Sequence, residues 1–162
     1  MKNFFKEKFI FLDFDGVVKE SSNLKSDAYY DLFKDFGKSV SEMVKKHHDQ
    51  NTGISRYEKI PLYLSWASNN FNKDDVKDFI QKFSDIVKNK VINSSWVPGV
   101  LKFIKNNYRN KKLFIITATP QEEIEEIINE LLIHEYFLKI IGAPTKKEDA
   151  IRFLIKIYKI RK

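Results

Sequence analysis

Cysteine is absent from this chain of 162 residues. Disulfides and thiolate metal sites are therefore excluded, and the lack of thiols fits the cytoplasm. Glycine and proline are few, at five and four residues, and no low-complexity linker or internal repeat occurs. No apolar run approaches the ~18 residues of a membrane span. The opening Met1-Lys2-Asn3-Phe4-Phe5-Lys6-Glu7-Lys8 is broken by charge before a signal peptide's apolar stretch could form. What is present is a globular composition, 43% hydrophobic with a net charge of +7. The lysines are spread along the chain rather than gathered into a tract. The charge therefore reads as a solvated surface that suits a small anionic substrate, and neither a nucleic acid nor a membrane is expected as a partner. The length suits one domain, or a small domain carrying an insertion, with a real core.

Three short apolar runs read as buried parallel strands. They are Phe9-Ile10-Phe11-Leu12 before Asp13, Leu113-Phe114-Ile115-Ile116 before Thr117, and Leu138-Lys139-Ile140-Ile141 before Gly142. Each is followed by polar or small residues and then a helical pattern, the order of a doubly wound α/β sheet. Thr119-Pro120-Gln121-Glu122 and Thr145-Lys146-Lys147-Glu148 read as capping boxes that open the helices behind the second and third strands. Pro98-Gly99 opens another helix through Leu101, Ile104 and Tyr108. Upstream, Ser39 with Glu42 and Ser55 with Glu58 read as two more capping boxes, and Pro61 is expected to kink or shorten the second of these helices. Tyr29, Leu32, Phe33 and Phe36 form one helical face, which Gly37 can end. Val76, Phe79, Ile80, Phe83 and Val87 form another.

No convincing strand lies between Asp15 and Ser95. A helical insert of about 80 residues is too long for a plain crossover, so it reads as a cap over the strand ends. The expected architecture is a Rossmann-like parallel α/β sheet with an inserted helical cap. Residues 1–19 and 96–162 form the core, and 20–95 form the cap.

The strongest chemical signal is Asp13-Phe14-Asp15-Gly16-Val17-Val18, directly after an apolar strand. Two carboxylates at a strand's carboxyl end sit where open α/β sheets bind ligands. Gly16 permits a tight turn and close backbone approach. The segment resembles the signature of the haloacid dehalogenase-like superfamily, in which Asp-x-Asp-Gly-Val/Thr follows the first strand. Asp15-Gly16-Val17-Val18-Lys19-Glu20-Ser21 is similar to that family's entry into a helical cap, and Trp96-Val97-Pro98-Gly99-Val100 to its return from cap to core. Thr117 closes the second strand as the family's Thr/Ser does. Lys146-Lys147 follows the third strand where the family places its basic residue. The resemblance covers essentially the whole chain.

Carried over position by position, the resemblance implies a phosphatase acting on a small phosphorylated metabolite. Asp13 would attack phosphorus and form an aspartyl-phosphate. Asp15 would protonate the leaving oxygen and then activate water. Magnesium would be held by Asp13, the backbone carbonyl of Asp15 and a further acid. The Thr117 hydroxyl and the Ala118 backbone N–H would bind the transferring phosphoryl. Lys147 would neutralise the charge at Asp13, with Lys146 as its rival and as an anion contact. Dehalogenases of this fold lack the second aspartate, so Asp15 favours phosphoryl transfer. These side chains are expected to converge in one crevice.

One feature departs from the family. Its fourth motif, an acidic pair after a fourth strand, has no counterpart before Ile160-Arg161-Lys162. The resemblance then implies a truncated sheet, a third metal carboxylate that is missing, and a first strand left as an exposed edge. A phosphomutase of the same architecture and a truncated, non-catalytic domain are the alternative readings. In the cap, Gly53-Ile54-Ser55-Arg56 is expected to form a loop facing the site, with Arg56 as an anion contact. His47 reads as core, continuing the Val40, Met43 and Val44 face. His48 reads as solvated, and Lys25 as either solvated or near the site.

Overall fold

The computed structural model describes residues 8–68 and 70–160. The N-terminal segment that bears on a signal peptide, apart from Lys8, lies outside them, as do Arg161 and Lys162. The chain divides into two compact units. One is an α/β unit of Met1–Glu20 with Ser95–Lys162, and the other a helical unit of Ser21–Ser94.

In the α/β unit, strands β1 (Phe9–Leu12), β2 (Lys112–Pro120) and β3 (Lys139–Ala143) form a parallel sheet in the order β1-β2-β3. Helix α5 (Val100–Asn107) leads into β2, α6 (Gln121–Glu130) joins β2 to β3, and α7 (Lys147–Ile157) follows β3. The register pairs Leu12 with Ile115 and Ile116 with Ile141, so all three expected strands end on one side. β2 is covered on both faces, which explains its unbroken apolar run. Phe114 and Ile116 pack with Ile141, Ala150 and Leu154, and Phe9, Phe11, Ile151 and Tyr158 close over them. Phe114 stands at the centre, 5.1 Å from the Phe11 ring and 5.4 Å from that of Tyr158. Leu113 and Ile115, on the other face of the pleat, are also buried, as are Ile124, Ile127 and Ile128 of α6.

The helical unit contains α1 (Ser22–Leu32), α2 (Lys38–Gln50), α3 (Arg56–Ala67) and α4 (Lys73–Asn93). Its interior is aromatic. Tyr29 lies 4.0 Å from Phe83 and 5.4 Å edge-on to Tyr63, and Phe33 lies 5.3 Å from Phe79. Among the described residues, no helix is long and apolar enough to cross a membrane.

Several local expectations change. β2 continues past Ile116 to Pro120, so Thr119 belongs to the strand and caps nothing; α6 starts at Gln121 without a side-chain cap. α7 starts at Lys147 with Lys146 at the N-cap and no capping bond from Thr145. α2 starts at Lys38, behind Gly37 at φ 100°, so Ser39 lies inside the helix. Ser55 does cap α3, through the Tyr57 N–H at 3.4 Å, and α3 runs on through Pro61 to Ala67. The reciprocal capping box that forms is Asn72 with Asp75, at the start of α4.

Candidate active site

The site is built on the turn that follows β1. Phe14 and Val18 are buried. Phe14 is buried between Asp13 and Asp15, which are both half-buried where β1 gives way to the turn. The Phe14 carbonyl accepts N–H groups from Val17, Val18 and Lys19 at 3.3, 2.8 and 3.2 Å. Gly16, at φ 73°, donates to the Lys19 carbonyl at 2.7 Å. This tight turn needs the left-handed backbone that glycine adopts without strain. Bridges from Asp15 to Lys19 and from Lys19 to Trp96 tie the turn to the returning chain.

Asp13 is half-buried and doubly held. Its Oδ1 accepts the Phe14 N–H at 2.8 Å, and its Oδ2 meets the Lys147 Nζ at 2.5 Å. Lys147 is the first residue of α7, and Lys146 is exposed at the N-cap. Of the two lysines in question, the structure places the amine of Lys147 against the carboxylate.

Thr117 and Ala118 lie in a bulge of β2. Ile116 pairs with Ile141 and Pro120 with Ala143, so three residues of β2 face one of β3. The bulge is fixed by Thr119, although its place before Pro120-Gln121-Glu122 suggests a helix cap. The Thr119 N–H donates to the Thr117 Oγ1 at 3.2 Å, and the two hydroxyls lie 3.3 Å apart. The Thr119 hydroxyl also reaches the Asp15 Oδ2 at 3.3 Å. Both threonines are buried. A hydroxyl chain thus joins Asp15 to Thr117. Gly142 is required on the facing strand, because a Cβ there would lie 2.6 Å from the Thr119 carbonyl oxygen. Gln121 locks the same corner, accepting the Gly142 N–H at 2.6 Å and donating to the Ile140 carbonyl at 3.2 Å.

Lys19 is a second feature that sequence reasoning missed. It is buried, with its ammonium 4.5 Å from the Trp96 ring centroid, and burial lowers its pKa. The signal was a lysine directly after the apolar pair Val17-Val18.

Other candidates belong to the helical unit. Arg56 is the first residue of α3 rather than part of a loop. It is buried, donates from Nη1 to the Ser84 Oγ at 2.5 Å and lies over the Phe83 ring. The α2 stripe that faces inward is Ser41, Val44 and His48, whereas Met43 is exposed. His48 is therefore buried rather than solvated. His47 is half-buried, with its Nδ1 3.0 Å from the Tyr63 hydroxyl. Lys25 is buried on α1.

Asp13 and the Asp15 carbonyl are hard oxygen donors of the kind magnesium takes. Among the described residues, no group of three His, Cys, Asp or Glu side chains could hold a metal ion. One carboxylate and one carbonyl are compatible with such an ion but are only a partial donor set for it.

Comparison with known proteins bears on the fold and the family. A phosphorylated carbohydrates phosphatase from Thermotoga maritima is 27% identical over 93% of this chain and 69% of its own length. The fold is shared with a CbbY mutant from Rhodobacter sphaeroides in complex with xylulose-(1,5)bisphosphate. That match has a TM-score of 0.69 and 16% identity, covering 95% of this chain and 73% of that one. It is also shared with a HAD-hydrolase YfnB from Bacillus subtilis bound to magnesium, at a TM-score of 0.60 and 13% identity, covering 93% and 73% of the two chains. Residues 10–162 match the model of the haloacid dehalogenase-like hydrolases, and the chain belongs to that family.

Proposed function

We propose that the protein is a magnesium-dependent phosphatase that hydrolyses a small phosphorylated metabolite through an aspartyl-phosphate on Asp13. The observation that carries this reading is the Asp13 carboxylate fixed against Lys147, with Asp15 two residues on and hydrogen-bonded through Thr119 to Thr117. The family, the phosphatase relative and the bisphosphate and magnesium named for its structural neighbours support it.

The steps follow from the side chains. An Asp13 oxygen attacks phosphorus while the bond to the substrate's bridging oxygen breaks. Asp15, protonated at that point, gives its proton to the departing alkoxide. Asp15 then takes a proton from water, the water oxygen attacks phosphorus, and Asp13 leaves as carboxylate. Lys147 offsets the negative charge that gathers at Asp13 and the phosphoryl oxygens, and the Thr117 hydroxyl and Ala118 N–H donate to those oxygens. Thr119 positions Asp15. Asp13 and the Asp15 carbonyl would hold magnesium, which supplies further charge neutralisation at the phosphoryl group. In the helical unit, Arg56 is the anion contact for substrate recognition, with Lys146 a second contact from the α/β unit.

The test is phosphate release from a generic phosphate monoester with magnesium and with a chelator. Turnover that needs magnesium supports the proposal. Hydrolysis at equal rate under chelation removes the metal from it.

A further inference from the structure

The bulge of β2 and the lysine on Asp13 follow two different strands, and one side chain joins them. Between the pairs Ile116–Ile141 and Pro120–Ala143, β2 supplies Thr117, Ala118 and Thr119 while β3 supplies Gly142 alone. The bulge turns Ala118 out, since past Lys112 it is the one residue of β2 that is not buried. Gln121, the first residue of α6, reaches back across this corner. Its Oε1 accepts the Gly142 N–H at 2.6 Å. Its Nε2 donates to the Ile140 carbonyl at 3.2 Å and to the Glu125 Oε1 at 2.6 Å. A backbone donor and a backbone acceptor two residues apart leave the amide one orientation. Gly142 is held at its other end too, because its carbonyl accepts the Thr145 N–H at 3.2 Å. Lys147 begins α7 two residues later, with its amine on Asp13.

The start of a helix does not by itself call for this arrangement. Gln121 is half-buried, and fixing so long a side chain costs rotamer freedom. Closing α6 onto β3 does not require it either. The backbone alone does that, since the Gln121 N and Cα would lie 2.9 Å from a Cβ at Gly142. What the amide adds is register. It fixes where Gly142 stands along β2, and so where the bulge and the β3–α7 turn stand relative to each other. Displacements of about 1 Å in groups aimed at a reacting centre cost on the order of 10²-fold in rate.

We propose that Gln121 is a positioning residue for phosphoryl transfer, its side-chain amide tying the Thr117–Ala118 bulge to the β3–α7 turn so that the phosphoryl donors and Lys147 stand as one set. The inference rests on the function proposed above and deepens it. Every group in the tie lies in the α/β unit. Gln121 takes no part in the proton or phosphoryl transfers and acts through Gly142 and the bulge. The donors it aligns answer charge that grows in the transition state. Loss of the tie therefore slows the chemical step and leaves binding of the ester nearly unchanged.

The experiment compares the wild-type protein with Gln121→Leu and Gln121→Glu at equal folded concentration, by phosphate release from a generic phosphate monoester with magnesium. Gln121→Leu keeps the approximate volume and removes all three hydrogen bonds. Its kcat should fall by roughly 10- to 100-fold, with KM within about threefold of wild type. Gln121→Glu carries its own rescue. Protonated, its carboxyl accepts from Gly142 and donates to the Ile140 carbonyl. Ionised, it has no hydrogen to donate and faces Glu125. The kcat of Gln121→Glu relative to wild type should therefore recover as pH is lowered from about 7 to about 5. A wild-type kcat in Gln121→Leu would overturn the proposal, as would a loss confined to KM. So would a ratio for Gln121→Glu that does not change with pH. A wild-type protein that releases no phosphate would overturn the proposed function and this inference with it, and that control separates the two failures.

Discussion

At the residue scale, the site depends on how few groups hold Asp13 and Asp15 in place. Lys147 is the cation found on Asp13, and its removal leaves a carboxylate and a phosphate facing each other. Lys147→Met should lower kcat by roughly 10²-fold or more, the range for losing one charge-stabilising contact. Lys146→Met should change kcat by less than about threefold, and steady-state kinetics on both variants checks the assignment. Thr119 acts through Asp15. Thr119→Val removes the hydroxyl that links Asp15 to Thr117; its hydrogen bond to Asp15 is worth about 1 kcal/mol, so a several-fold loss is expected. The loss should come with a displaced acidic limb of the pH–rate profile, because the proton donor has lost a partner; an unmoved profile would make Thr119 structural only. Lys59 supports a prediction about stability. Its amine sits near 8 in the fold against 10.5 for a free lysine, so between these values the unfolded chain binds more protons than the native one. Stability from this group therefore rises with pH across that window, and its cost is fully present below pH 8. Lys59→Met should raise stability at pH 7 by about 1–3 kcal/mol and flatten the rise, as read from denaturant unfolding at pH 7 and pH 10.

At the element scale, the sequence revealed what local pattern controls and concealed what depends on a neighbouring strand. The three strands were legible because each is a short apolar run with a polar stop. Asp13 and Asp15 were legible as two carboxylates at a strand's end, and Lys147 only through its match to the family's basic residue, with Lys146 as rival. The bulge at Thr117–Thr119 was not, since Thr119-Pro120-Gln121-Glu122 has the residue types of a capping box. Only the pairing of Pro120 with Ala143 shows that the strand continues. His48 and Lys59 were concealed for a different reason. Hydrophobic periodicity finds apolar stripes, and the inward stripe of α2 carries Ser41 and His48. At the other extreme, Asn72 and Asp75 satisfy each other at 2.8 and 3.1 Å, a capping box written in residues other than Ser/Thr and Glu/Gln. Asn72→Ala should cost about 1 kcal/mol in denaturant unfolding. Gly142→Ala should cost more, because backbone of β2 and α6 occupies the space its methyl needs. A change under about 0.5 kcal/mol there would mean that the corner yields freely.

At the scale of the whole molecule, the α/β unit carries Asp13, Asp15 and Lys147, the proposed nucleophile, proton donor and charge-neutralising group, and the helical unit carries buried cationic side chains in an aromatic interior. The net charge of +7 suits a substrate that is an anion. Covalent catalysis by Asp13 is the claim on which the rest depends, and an amide cannot be the nucleophile. The direct measurement is phosphate release from a generic phosphate ester with magnesium, for the wild-type protein and Asp13→Asn at equal folded concentration. Release by the variant should fall to the uncatalysed background while its unfolding transition stays cooperative. Near-normal hydrolysis by Asp13→Asn would contradict the account.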